Sequence, residues 1–190
     1  MLSTFPILQV EQNWDGVRLA VLLPMAAAIG TGNRLSSMKK QLLQNNTLEA
    51  VFSLPAEIFY PGASVQACCM VFTLNKSHFD VDGVTPYKKT FFGYYREDGF
   101  VKRKNLGRVE QFDSEGNSEW KKIEEKWLDL YKNKTVMAGY SAMQAVAGAD
   151  EWLAEAYMET DYSTVTQDDF QRTINNYLAY LVKEGKVYES

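Results

Sequence analysis

Three apolar runs, each bounded by a turn signal, organise the first half of the chain. Val17–Leu23 closes on Pro24, Leu48–Leu54 closes on Pro55, and Gln66–Leu74 follows the loop Phe59-Tyr60-Pro61-Gly62. The runs are continuous rather than alternating, which is how strands covered on both faces read. Between the first two lies Gly30-Thr31-Gly32-Asn33. After it, Leu35, Met38, Leu42 and Leu43 recur at three- and four-residue spacing. That spacing predicts a helix with one apolar stripe, capped by Asn33 and ended by Asn45-Asn46. Strand, helix, strand in this order predicts a right-handed crossover and parallel pairing. The third run follows a loop with no helical period and is too close for another parallel crossover. Antiparallel insertion or an edge hairpin is therefore expected.

The rest of the chain divides in two. Residues 77–117 are dense in turns: Asp82-Gly83, Asp98-Gly99, Asn105-Leu106-Gly107 and Glu115-Gly116-Asn117. Thr90–Tyr95 has strong strand propensity. Asp98-Gly99 between Tyr94-Tyr95 and Phe100-Val101 predicts a hairpin. Residues 118–190 read as helical. Trp120, Ile123, Trp127, Leu130 and Tyr131 form one stripe, and Trp152, Leu153, Ala156 and Tyr157 a second. A third helix begins at Thr166-Gln167-Asp168-Asp169, a capping-box entry, and carries Phe170, Ile174, Tyr177, Leu178 and Leu181. Lys183 and Gly185 suit its end. The expected organisation is thus an α/β segment over 1–76, a turn-rich β segment over 77–117 and a helical region over 118–190.

Length and composition fit one folded domain with an appendage: 190 residues, 46% hydrophobic and 23% charged. The formal net charge of −4 gives no overall signature of nucleic-acid binding. The local exception is Lys102-Arg103-Lys104 with Arg108, read most simply as a solvated loop. The two cysteines are the neighbours Cys68 and Cys69, on opposite faces of an expected strand and poorly placed for a mutual disulfide. Buried thiols in a reducing compartment are the simpler reading. With one histidine, His78, there is no zinc-type spacing. No apolar run approaches the roughly 20 residues of a membrane span, and the start lacks the pattern of a signal peptide. A cytoplasmic protein with no membrane association is expected.

Little of the chain carries catalytic chemistry by pattern. Gly30-Thr31-Gly32-Asn33 could cradle a phosphate at a helix start, but it lacks the third glycine of a dinucleotide fingerprint and the Lys-Ser/Thr of a P-loop; a plain turn suffices. Ser36, Ser37, Ser53 and Ser64 lie in no Gly-x-Ser-x-Gly, so a hydrolytic triad is not expected. Asp150-Glu151, Asp168-Asp169 and Glu124-Glu125 fall at helix starts or on polar helix faces. Phe59 and Tyr60 stand apart. As loop aromatics beside Pro61-Gly62 they either plug the core or stack on a flat ligand.

The same residues carry a resemblance. Val21-Leu22-Leu23-Pro24, Lys39-Lys40-Gln41-Leu42-Leu43, Leu48-Glu49-Ala50-Val51-Phe52-Ser53-Leu54-Pro55, Phe59-Tyr60-Pro61-Gly62 and Cys69-Met70-Val71-Phe72 follow one order and spacing. They resemble the C-terminal part of the catalytic domain of N6-adenine DNA methyltransferases. The similarity is greatest to the modification subunit of type I restriction–modification systems, and it covers roughly residues 15–75. It implies half of a Rossmann-like, mostly parallel seven-stranded sheet with one antiparallel strand. It also implies transfer of a methyl group from S-adenosylmethionine to an adenine flipped out of DNA. Phe59, and Tyr60 as second choice, become the target-base stacking residues. The family's Gly-x-Gly cofactor loop and its Asn/Asp-Pro-Pro-Tyr/Phe motif are absent: Pro6, Pro24, Pro55, Pro61 and Pro86 are nowhere adjacent. On this resemblance the chain is expected to be a fragment. No catalytic, cofactor-binding or metal residues are assigned in it. It neither holds S-adenosylmethionine nor methylates alone, and self-association through the cut sheet is expected. DNA and a specificity subunit are the implied partners of the intact complex, with a restriction subunit as a further candidate. Trp120, Trp127 and Trp152 serve there as partner surface or as ordinary core. The alternative is a non-catalytic assembly module from a split or decayed methyltransferase gene.

Overall fold

The computed structural model describes residues 14–163 and 165–186. The parts of the expected segments at residues 1–13 and 187–190 lie outside the described residues. The chain forms two compact units, 1–159 and 160–190.

The first unit is built on a five-stranded mixed sheet. Strands β1 (Arg18–Pro24), β2 (Thr47–Ser53), β3 (Ala67–Thr73), β4 (Thr90–Tyr94) and β7 (Ser141–Gln144) lie in the order β1-β3-β2-β4-β7. The third apolar run is antiparallel as anticipated, to β1 on one side and to β2 on the other. The crossover expectation needs correcting in one respect. β1 and β2 run in the same direction, yet they do not pair, because β3 is inserted between them. β4 adds to β2 in parallel, with Ala50 opposite Phe91 and Ser53 opposite Tyr94, and β7 closes the described edge antiparallel to β4.

The two faces of this sheet hold two apolar clusters. One gathers Leu43, Leu48, Val51, Met70, Phe92 and Trp152. The other gathers Ala50, Phe91, Tyr95 and Leu130 with Phe52, Trp127 and Tyr131 beside them. β2 and β4 are covered on both faces, as their continuous apolar runs require. β1 is not: Leu19 is 41% and Leu22 59% exposed. Its hydrophobicity belongs to an edge strand paired with β3 alone among the described residues.

Helix α2 (Asn33–Asn45) follows the four-residue α1 (Ala26–Ile29) and is capped by Gly32, not by Asn33, with no side-chain bond. Its stripe also departs from expectation. Met38 and Leu42 are exposed, whereas Leu43 and Lys39 are buried. The Lys39 ammonium replaces an apolar side chain in the core. It donates to the carbonyls of Ala28 at 2.7 Å and Asp150 at 2.9 Å and lies 4.9 Å from the Trp152 ring centre. Burial pushes its pKa down, partly offset by Glu151 and Asp150. The loop that supplies Asp150 is pressed against α2. A Cβ on Gly148 would sit 2.7 Å from the Lys40 amide nitrogen.

Helix α3 (Glu119–Asn133) is capped by Ser118, whose hydroxyl accepts from the Lys121 amide. It packs Trp127 flat on Tyr95, ring centres 4.2 Å apart, and the Tyr95 hydroxyl donates to the Trp127 carbonyl. The expected second helix does not form. Residues 141–144 pair as β7, and only the 3-10 turn Ala154–Ala156 is helical there. Trp152 is buried in the core and is no partner anchor. The hairpin at Asp98-Gly99 is likewise displaced. The pairing is between β5 (Phe100–Arg103) and β6 (Gly107–Glu110), around a loop in which Asn105 has φ 66°. Cys68 is buried and Cys69 half-buried, both as free thiols, with burial pushing the Cys68 pKa to about 11.

The second unit is α4 (Gln167–Lys183). Its Thr166–Asp169 capping box is fully formed, and no residue of the helix is buried. Phe170, Ile174, Tyr177 and Leu178 are all at least half exposed.

His78 is fully buried, its ring 5.6 Å edge-on from Phe79, and neither ring nitrogen has a hydrogen-bond partner of normal geometry. Burial lowers its pKa from 6.5. Lys88 adds to this, and Glu49 and the Val146 carbonyl offset part of it. Between the ordinary histidine pKa and the depressed folded value, the unfolded chain binds the proton and the folded chain does not. Stability therefore rises with pH across that window, by at most about 1.4 kcal/mol per unit. Urea unfolding from pH 7 to pH 5 is expected to show this loss, and His78→Leu to flatten it. Parallel pH profiles of the two proteins would assign the slope to other groups.

Candidate functional site

The parallel relation of β1, β2 and β4 sends their C-terminal ends to one edge of the sheet. In open α/β sheets that edge is where ligands bind. The segments leaving it are Met25–Gly32, the loop 54–66 and Arg96–Gly99.

The loop 54–66 is anchored at both ends. Pro55 is buried, the Leu54 amide donates to the Ala67 carbonyl at 3.1 Å, and the Tyr60–Pro61 peptide is cis. Turn bonds from Ile58 to Pro55 and from Tyr60 to Glu57 keep it compact. Phe59 is 40% exposed on it. The Tyr60 ring already has a neighbour, the Lys102 ammonium, 4.2 Å from its centre. Lys102 also pairs with Glu57 at 3.0 Å. The two loop aromatics thus differ: one ring is occupied by a cation of β5, and the other makes no ring contact among the described residues.

Beside this loop lies a cleft of about 730 Å³. Its walls come from Pro55–Glu57, Arg96–Phe100 and Arg108, with Gln111 and the start of α3 behind. Phe59 and Tyr60 lie just beyond Glu57 and do not line it. Each arginine is committed to a carboxylate. Arg108 donates to both Asp98 oxygens at 2.6 and 2.7 Å, and Arg96 donates to Glu155 Oε1 at 2.6 Å. Ser53, at the end of β2, donates to the other Glu155 oxygen at 2.5 Å. A carboxylate already neutralised by arginine is a poor base, so Ser53 and Glu155 bracket two strand ends and do not form a nucleophilic pair. The Asp98, Arg96 and Glu155 roles carry no local sequence signal: Ser53 and Glu155 are separated by 102 positions. Arg96 and Asp98 follow the end of β4, whereas Glu155 comes from the 3-10 turn Ala154–Ala156.

The Gly30–Gly32 turn stands at the same edge, with Gly32 at the start of α2. A Cβ on Gly30 would collide with Leu35 Cδ2 at 2.1 Å, so Leu35 fills the Gly30 side of the turn, whereas the space beside Gly32 is open. No other glycine-rich strand end stands at this edge among the described residues. Clusters of metal-ligating side chains are absent among the described residues, and no described helix is long and apolar enough to cross a membrane.

Comparison with known proteins gives one consistent result. The family described as N-6 DNA Methylase matches residues 4–184. The chain is similar to the type II restriction enzyme and methyltransferase RM.BcgI of Heyndrickxia coagulans, with 28% identity over 176 residues. That match takes in 91% of this chain and 26% of the relative, so the chain spans about a quarter of the curated protein it matches. Among solved structures, a type I restriction–modification methyltransferase subunit from Streptococcus thermophilus superposes with a TM-score of 0.54 at 18% identity. It covers 77% of this chain and 27% of that one. The likeness extends the sheet architecture to a methyltransferase fold.

Proposed function

The chain belongs to the N-6 DNA methylase family, and on that footing we propose that it supplies the target-base side of an adenine-N6 DNA methyltransferase of a type I restriction–modification system. Phe59 is the stacking platform for the flipped adenine. The observation that carries this is the exposed, unstacked Phe59 on a braced loop at the C-terminal edge of parallel strands. Tyr60 instead holds the loop to β5 through Lys102. S-adenosylmethionine serves the complete enzyme as methyl donor and is held outside the residues described. DNA is the substrate, and a specificity subunit selects the sequence. The exposed apolar stripe of α4 gives the second unit an assembly role with such a subunit. That stripe is also what favours the second reading, a non-catalytic assembly module.

The test uses the enzyme that joins these residues to a cofactor-binding half. Phe59→Ala is expected to lower methyl transfer to duplex DNA about tenfold to a hundredfold, matching about 1–3 kcal/mol of lost stacking. Phe59→Trp should retain most activity, and thermal unfolding should be unchanged, because the ring is not part of the core. Wild-type turnover in Phe59→Ala would remove the assignment. An unfolded variant would make Phe59 a core residue.

A further inference from the structure

The basic run in the middle of the sequence is divided by the fold into two cations paired with carboxylates and two that are not. Lys102 is spent on Glu57 and the Tyr60 ring, and Arg108 on Asp98. Arg103 and Lys104 are exposed and make no ion pair among the described residues. Arg103 ends β5 and Lys104 opens the hairpin loop, and the residue that completes it, Leu106, is 75% exposed. An apolar side chain at a hairpin tip contributes nothing to the core here. The hairpin is not free to wander. A Cβ on Gly107 would lie 3.8 Å from Pro61, and Lys102 ties β5 to Glu57, so the tip stands beside the loop that presents Phe59.

We propose that the β5–β6 hairpin is a DNA-holding wedge, with Arg103 and Lys104 on backbone phosphates and Leu106 pressed against the base stack next to the extruded adenine. The inference rests on the reading that this chain faces DNA, and adds to it the element that grips the duplex and supports extrusion. Two exposed cations leading into an exposed apolar tip match a polyanion with a stackable interior. The chain's net charge of −4 makes the match local to the hairpin. Glu57 and Asp98 are already paired with Lys102 and Arg108, and Glu110, at the foot of β6, accepts from the Ser118 hydroxyl. Extruding a base leaves a gap in the stack, and an apolar wedge fills it.

Fluorescence anisotropy of labelled duplex DNA against this chain, over a potassium chloride series, tests the proposal. Arg103→Ser with Lys104→Ser is expected to weaken binding tenfold or more at low salt. It should also reduce the slope of log affinity against log salt by about two, one for each phosphate that the variant leaves unneutralised. Leu106→Ser should hold its affinity for intact duplex within twofold and lose the tighter binding to a duplex with an unpaired adenine. Lys121→Ser with Lys132→Ser, on α3, should match the wild type, and circular dichroism should show every variant folded. An unchanged slope in the double variant overturns the proposal, as does absence of duplex binding by the wild type. Equal, tip-dependent binding to polyglutamate would overturn it in favour of an acidic protein partner. Loss of DNA binding in the hairpin variants alongside normal methylation by Phe59→Ala would leave the wedge standing and remove the base platform.

Discussion

Lys39→Ala is expected to lower the unfolding free energy by about 3 kcal/mol, a large share of the 5–15 kcal/mol typical of a domain. The change removes two charge-assisted hydrogen bonds made in a buried site, those to Ala28 and Asp150. The two acceptors do not suffer equally. The Ala28 carbonyl keeps the Trp152 amide as a partner at 3.1 Å, whereas the Asp150 carbonyl has no other partner among those described. Losing the buried bond to Ala28 and the part-buried one to Asp150 costs about 1–3 kcal/mol, and the space left beside Trp152 adds a cavity term. Lys39→Met refills the volume without restoring the bonds and should recover roughly half of the loss. Urea denaturation of the three proteins separates the contributions. A loss below about 1 kcal/mol in Lys39→Ala would mean that the ammonium is not the tie between α2 and the 147–152 loop.

Arg108→Met is the second large effect. The Asp98–Arg108 side chains are only 9% and 14% exposed, and one guanidinium nitrogen, Nη2, reaches both carboxylate oxygens. Removing one partner of a buried pair leaves an uncompensated charge, at a cost of about 2–4 kcal/mol here. Asp98 also accepts from the Phe100 amide, so the start of β5 should loosen with it. Asp98→Asn combined with Arg108→Met removes the stranded charge and should return much of the loss. A double-mutant cycle read by urea unfolding gives the coupling. Additive single effects would show that the two groups act independently and that the hairpin is braced by other contacts.

Elements whose stability is local were legible in the sequence. The three apolar runs became β1, β2 and β3, the heptad-like stripe at Trp120–Tyr131 became α3, and Thr166–Asp169 became a capping box. The short crossover before β3 correctly implied an antiparallel strand. What escaped reading depends on partners far along the chain. Ser141–Gln144 has little strand propensity and is a strand because β4 offers it an edge. Asp98-Gly99 has the composition of a hairpin turn, but Arg108 takes the carboxylate. Gly99, at φ 70°, brings the backbone against α3, where a Cβ would meet the Trp120 amide at 2.7 Å. Lys39 sits at a stripe position that its charge disqualifies by pattern, and only the carbonyls of two distant segments make its burial tolerable. The candidate site is legible to the same degree. Phe59 was visible as a loop aromatic, whereas the Ser53–Glu155–Arg96 bracket exists only once three segments have met.

The insertion of β3 between β1 and β2 also imposes a timetable on synthesis. β1 is made first of the three, yet its one partner among the described strands is the last to be made. At about 5–20 residues per second, Arg18–Pro24 waits for seconds before Ala67–Thr73 has left the ribosome. During that interval β1 lacks the partner it has among the described strands, and an unpaired apolar edge is what chaperones bind and what strands of neighbouring nascent chains pair with. Synonymous codon choice between residues 25 and 66, which sets the length of the wait, is therefore a handle on the yield of folded protein that leaves every residue in place.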